Sequence, residues 1–146
     1  MKTASLKPKD ITRKWYVLDA SEAPIGRIST TAARLLIGKD KPTISHHIDN
    51  GDYVIIINSD SLVATGNKST GKVYYRHSGF PGGLKQKTLG QAMDQKSQEI
   101  FRHAIRGMLP VNKLRKLRLD RLKIYAGSEH KHQAQNPIPI KNERKR

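Results

Sequence analysis

The segment Gly66-Asn67-Lys68-Ser69-Thr70-Gly71-Lys72 has the glycine spacing and the lysine of a loop that cradles nucleotide phosphates. In such loops a Ser or Thr hydroxyl follows the lysine to hold Mg²⁺, and the loop opens a helix whose amides face the phosphates. Here position 73 is Val, and Val73-Tyr74-Tyr75 favours a strand. Nucleotide hydrolysis thus loses both its metal ligand and its geometry, and no cofactor is expected. Two glycines and two lysines still suit contact with a phosphate backbone, which amide N–H groups and ammonium charges can both reach.

Two histidine pairs are the other chemical candidates. In Glu129-His130-Lys131-His132 the histidines would face one way on a strand, but zinc normally needs three or four ligands and no others are obvious nearby. Beside Lys131, His130 and His132 read instead as hydrogen-bond donors or stacking rings for a binding partner. His46-His47 has neither a serine in a nucleophile context nor paired carboxylates nearby in sequence, and reads as structural or surface. The chain has no cysteine, which excludes disulfides, thiolate zinc sites and cysteine nucleophiles together. No enzymatic activity and no small-molecule substrate are expected.

Binding chemistry is better represented. The 146 residues hold 28 Lys and Arg against 12 Asp and Glu, a formal charge of +16, for which a polyanionic partner is the simplest reason. The excess is uneven: residues 1–67 carry 9 basic and 7 acidic side chains, whereas 68–146 carry 19 and 5. Between Asp60 and Asp94 there is no carboxylate to repel a phosphate backbone.

The densest stretch runs from Asn112 to Lys123, where Lys113, Arg115, Lys116, Arg118, Arg121 and Lys123 interleave with leucines. The leucines are expected to dock it with the cations facing outward. Arg forks onto phosphate oxygens and stacks on unpaired bases, while Lys acts mainly as a point charge. A membrane-surface helix would want aromatic anchors and a continuous polar face, and this stretch has neither. Tyr74, Tyr75, His77 and Phe80 interleave with Arg76 and Lys85, and Lys87 follows, a mixture suited to phosphate contact plus stacking. The competing assignment puts the tyrosines in a strand core.

These side chains need a scaffold. Trp15–Leu18 reads as a strand, and Asp19–Pro24 supplies turn and cap residues for a helix over Ile25–Ile37. Ile25, Ile28, Ala32, Leu35 and Leu36 share one side of that helix, Arg27, Thr31 and Arg34 the other, and Gly38 is placed to stop it. Tyr53–Ile57 is an unbroken β-branched run, the pattern of a central strand buried on both faces. Strand, helix, strand implies a βαβ crossover and a parallel pair. Short strands are expected at Leu62–Thr65 and Val73–Tyr75, and a surface loop at Gly79–Gly83.

A second amphipathic helix over Ser97–Leu109 sets Ile100, Phe101, Ala104, Ile105 and Met108 against Arg102, His103 and Arg106, and Pro110 ends it. Val111–Asp120 reads as a short basic helix whose periodicity is marred by Arg118 on its apolar side. Leu122–Ala126 alternates like a strand, and an irregular tail is expected from Gly127. One domain results: a basic leader over 1–14, a core over 15–126 and a basic tail over 127–146. The leader lacks the apolar run of a signal peptide and no stretch approaches the roughly 18 apolar residues of a membrane helix, so a soluble, cytoplasmic protein is expected.

Several separated motifs, in order, resemble the large-subunit ribosomal protein thirteen family in its bacterial form. They are Trp15-Tyr16-Val17 with Gly26-Arg27, His47 through Gly51-Asp52-Tyr53, Thr65-Gly66-Asn67-Lys68, and Lys72-Val73-Tyr74-Tyr75. His77, Gly79, Gly82-Gly83 and Lys85 follow, then Gly107-Met108-Leu109-Pro110 and Lys123 through His132. The resemblance implies an α/β fold with three α/β/α layers around a small, mostly parallel sheet, bearing basic loop and C-terminal extensions. It also implies binding to the large-subunit (23S-type) rRNA, an early place in subunit assembly, and neighbouring ribosomal proteins as partners. Lys68, Lys72, His77, Lys85, Lys123, His130 and His132 match basic positions of the family and carry over as expected RNA contacts. Two departures, the run Lys113–Arg121 and the tail beyond Gln135, are more basic than the family pattern. The rivals are a nucleotide-dependent enzyme, against which Val73 stands, and a basic DNA-binding protein, for which no helix-turn-helix or zinc finger speaks.

Overall fold

In the computed structural model, which describes residues 6–141, the apolar run Tyr53–Ile57 is strand β2, and Val54, Ile55 and Ile56 are fully buried. Both faces are covered, which is why no polar alternation was needed. Strand β1 (Trp15–Asp19) pairs with β2 in parallel, Trp15 opposite Tyr53 and Leu18 opposite Ile56. The βαβ link is helix α1 (Ile25–Ile37), whose Ile28, Ala32 and Leu36 are fully buried. It stops at Gly38, whose φ of 81° lets its amide return to the carbonyls of Arg34 and Leu35.

Beyond β2 the structure departs from the sequence pattern in places. Leu62–Thr65 is not a strand: Val63 makes one isolated bridge to Pro24, where the ladder meets a residue without an N–H and the start of α1. The glycine-lysine loop contains a single helical turn, α2 (Lys68–Gly71). β3 (Val73–His77) is longer than expected and pairs antiparallel with β4 (Leu84–Thr88), forming a hairpin separate from the main sheet around the expected 79–83 loop.

Helix α3 (Leu89–Met108) begins earlier than Ser97, at a capping box in which Thr88 and Gln91 bond each other's backbone amides. Lys96, at φ −156° and ψ 84°, breaks it into two pieces, and the first piece buries only Leu89 fully, so its apolar period was too weak to read. Met108, expected in the core, is 42% exposed; Leu109, one residue on, takes the buried position. The basic helix α4 is shorter than expected, Leu114–Asp120, and β5 (Leu122–Ile124) follows it.

The sheet order is β5-β2-β1-β6, all parallel. From β1 to β2 to β5 the chain steps one way, so right-handed crossovers set α1, α3 and α4 on one face. Their core there includes Leu18, Val54, Ile56, Phe101, Ile105 and Leu122. From β5 the chain steps back to β6 (Ile138–Pro139) on the far edge of β1, so the connection must cross the opposite face. Three layers result, and the third is made by this connection with its 3₁₀ turn at Gln133–Gln135, not by an α-helix. The tail is therefore irregular only in part. Pro139 suits an edge position because it has no ladder N–H to offer, and Ile140 N–H bonds the Val17 carbonyl at 2.9 Å. Of Lys141–Arg146, only Lys141 lies within the described residues, as does the leader only from Leu6.

The α1 end, the entry to β2 and the α4–β5 junction meet at a buried carboxylate. Arg121 Nη1 and Nη2 both donate to Asp49, Nη2 also to the Leu36 carbonyl at 3.1 Å, and Nε to the Asp52 carbonyl at 3.3 Å. Arg118 Nε lies 3.5 Å from the same Asp49 carboxylate. Both arginines are buried, at 3% and 6% exposure, which corrects the expectation that they face outward. The reason is the irregularity in the helical wheel: Arg118 follows the apolar side inward, and Leu117 is left 53% exposed. Gly51 permits the junction, since a Cβ there would strike the Leu36 carbonyl and come within 2.7 Å of Arg121 Nη2. Beside it, Lys41 bridges Asp52 at 2.7 Å and the Thr12 and Asn50 carbonyls, pinning the leader to the same corner.

Burial alone would raise the Asp49 carboxyl, but the Arg121 hydrogen bonds and the charges of Arg121, Arg118 and Arg13 outweigh it and hold the group below the usual carboxylate value. A depressed carboxylate contributes stability that is present above its unfolded pKa, about 3.9, and is lost as pH falls through the lower folded value. Asp49→Asn strands two buried guanidinium charges and should cost about 3–5 kcal/mol by urea unfolding at pH 7. The same variant should show a smaller loss of stability than the parent on acidification below about pH 4.

Candidate nucleic-acid interface

With Arg118 and Arg121 turned inward, the remaining cations fall into three groups. The first is the hairpin. Its register places Tyr74 opposite Lys87 and Arg76 opposite Lys85, so these four share one face, while Tyr75, His77, Leu84 and Gln86 share the other. Arg76 and Lys85 are exposed and Lys87 is half-buried. Lys72 Nζ sits 5.3 Å from the centre of the Tyr74 ring, a cation–π contact that holds the lysine at the hairpin's base. Tyr74 is the core-facing tyrosine, packed edge-on to His103 at 5.3 Å; Tyr75 is 65% and Phe80 74% exposed. Stacking and core packing are thus divided between adjacent tyrosines by the period-two alternation. His77 shapes the tip, its Nδ1 accepting the Gly79 amide at 2.9 Å. Lys68, exposed, reaches Thr65 Oγ1 at 3.0 Å.

The second group lies on helix faces turned from the core. On α3, Arg102, His103 and Arg106 are exposed, and the Tyr74–His103 contact joins this face to the hairpin. On α1, Arg27 is exposed, and Arg34 pairs with Asp40 at 3.2 Å with both half open to solvent, a pair of little energetic consequence. The third group is what α4 leaves outside. Lys113 and Lys116 are exposed. Arg115 is half-buried and donates to the carbonyls of Leu109 at 2.8 Å and Pro110 at 3.1 Å, satisfying acceptors at the end of α3.

The histidines near the C-terminus are engaged by the protein's own rings. His132 packs on Trp15 at 4.9 Å, Trp15 lies flat on Tyr53 at 4.2 Å, and His132 Nε2 shares a 3.0 Å hydrogen bond with Tyr125 OH. Burial, then the charges of Lys123 and His130, push His132 below the ordinary imidazole value. His130 lies near the Tyr125 ring and accepts the His132 amide at 3.3 Å. Lys123 is half-buried on β5, and Lys131 is exposed. No group of three His, Asp or Glu side chains among the described residues is placed to hold a metal.

Two positions not chosen from sequence emerge here. Arg13 is exposed and donates to the Asp49 carbonyl at 3.2 Å, and His47 borders a depression beside it. His47 reads from sequence only as structural or surface, because the leader and the 39–52 loop meet only in the folded chain.

A family model described as Ribosomal protein L13 matches residues 13–131. The chain is 49% identical over 140 residues to the large ribosomal subunit protein uL13 of Lawsonia intracellularis, covering 96% of this chain and 97% of that one. It is 47% identical over 140 residues to uL13 of Saccharopolyspora erythraea, covering 96% and 95%, and 49% identical over 139 residues to uL13 of Thermotoga maritima, covering 95% and 93%. Similarity of this extent, running through the sheet, the hairpin and α4 alike, makes the chain a member of the ribosomal protein L13 family.

Proposed function

We propose that this chain, a structural and non-enzymatic constituent of the large ribosomal subunit, binds the large-subunit rRNA and thereby supports early assembly of the subunit and, through it, translation. The observation that carries the reading is the β3–β4 hairpin. Arg76, Lys85 and Lys87 are collected on one face, Lys72 is held at its base, and the whole lies within the carboxylate-free stretch between Asp60 and Asp94. A two-stranded hairpin outside the main sheet is marginal alone, and a polyanion along its cationic face would hold it in place.

Arg27, Arg34, Lys68, Arg106, Lys113, Lys116 and Lys131 extend the cationic surface over α1, α3, α4 and the crossing segment. Arg118 and Arg121 are assigned to the core instead, and Arg115, His130 and His132 chiefly to internal contacts. Recognition is by backbone shape and unpaired loops, since A-form RNA hides most base edges. Neighbouring ribosomal proteins complete the set of partners, and the site of action is the ribosome in the cytoplasm. No helix among the described residues is long and apolar enough to cross a membrane.

Affinity for large-subunit rRNA, small-subunit rRNA and duplex DNA across a salt series is the direct test. Preference for large-subunit rRNA should persist at physiological salt, and equal affinity for all three would overturn the proposal. Replacing Arg76 and Lys85 with Ser should lower the log–log salt slope by roughly 1.4–1.8, at about 0.7–0.9 per phosphate, without moving the urea midpoint. Lys113→Ser with Lys116→Ser should behave likewise.

A further inference from the structure

A depression of about 470 Å³ opens beside the Asp49 junction, within the size range of small-ligand sites. Its walls are apolar: Ile11 from the leader, Ile48 from the 39–52 loop, and Leu114 and Leu117 from α4. Tyr53 also lines it, with one ring face already covered by Trp15 at 4.2 Å and 6°. Arg13 and His47, both exposed, complete its border, and Asp49 and Arg121 lie at the buried side.

The charge here does not balance. One carboxylate, Asp49, faces two buried guanidinium groups, Arg121 and Arg118, with Arg13 on its carbonyl. Arg118 Nε and Nη1 are buried without a hydrogen-bond partner among the described residues. A buried cation short of acceptors is costly, and the Asp49–Arg121 pair would be better balanced without it. Lys41 and Asp52 satisfy each other and supply no relief.

We propose that this depression holds a single nucleotide extruded from the rRNA, its base against Leu114, Leu117 and Tyr53 and its phosphate toward Arg13 and His47. The inference rests on the rRNA-binding reading and names a site within it. An unstacked base needs apolar walls and a ring to lie on, and its phosphate needs cations at the mouth. An aliphatic side chain from a neighbouring protein would fill the walls but leave the positive surplus of Arg13, Arg118 and Arg121 without an anion. The surplus raises the local potential felt by the phosphate even though Arg118 itself does not border the depression.

Leu117 is half exposed at the border, so Leu117→Ser tests the site without opening the core; it should weaken binding to large-subunit rRNA about tenfold, the order expected for one stacked base. Arg118→Met should keep or raise the urea midpoint of the free protein while weakening the same binding. A photo-crosslinking residue at position 117 of the full chain, irradiated in assembled large subunits, should join to one unpaired nucleotide. A crosslink to another protein, or unchanged rRNA affinity in Leu117→Ser and in His47→Ala, overturns the nucleotide site. If the parent chain itself shows no preference for large-subunit rRNA, the rRNA reading fails, an outcome separate from failure of the site alone.

Discussion

A single buried carboxylate, Asp49, coordinates the architecture. Its two oxygens take Arg121, and the same guanidinium continues to the Leu36 and Asp52 carbonyls, so one side chain joins the C-terminal turn of α1, the entry to β2 and the start of β5. In the interior such a pair holds only when its remaining hydrogen-bonding capacity is used, and Arg121 uses Nε and both Nη atoms. The close approach it requires accounts for Gly51, where a side chain would collide with α1, and for Gly38, where a Cβ would meet the Asn50 carbonyl at 2.9 Å. The parallel pairing of β2 with both β1 and β5 is thus fixed at one end by charge and along its length by apolar burial.

That constraint sorts the protein's large positive excess into two populations. Arg121 and Lys41 are consumed in holding the fold and Arg115 in closing α3, while Arg118 is drawn inward beside Asp49. The cations of the hairpin and the outer helix faces remain at the surface, where phosphate contacts are made at little desolvation cost. The sorting follows from geometry: a guanidinium can satisfy several carbonyls at once, whereas an ammonium is a compact, strongly hydrated charge that favours solvent. The buried ion cluster is dominated by arginine, whereas the exposed cations at the start of α4, Lys113 at its cap and Lys116 within it, are lysine.

The second face of the sheet shows how topology substitutes for a missing helix. Returning from β5 to the far edge of β1 obliges the chain to cross that face, and the crossing segment covers it with His132 laid on the Trp15–Tyr53 stack. Of the rings, Trp15, Tyr53, Tyr125 and His132 are committed to each other, and Tyr75 and Phe80 on the hairpin are the exposed Tyr, Trp and Phe side chains among the described residues.

By itself the sequence determined the βαβ unit, the bounds of α1 with its Gly38 stop and the central position of β2, because each rests on local periodicity or on the identity of one residue. It also carried the family's separated motifs, and it flagged Arg118 as a misfit on its own helix. Only the tertiary structure decided which arginines are internal, that α3 begins at Leu89 across a kink, that Ile138–Pro139 returns as an edge strand, and that Ile11, His47 and Leu117 border one depression. Three of these depend on contacts between segments tens of residues apart, whereas α3 starts at a local capping box on Thr88 ahead of a turn whose apolar period is too weak to read. A charge run spells out how many cations are present, but the carboxylate that draws some of them inward lies 72 residues from its partner.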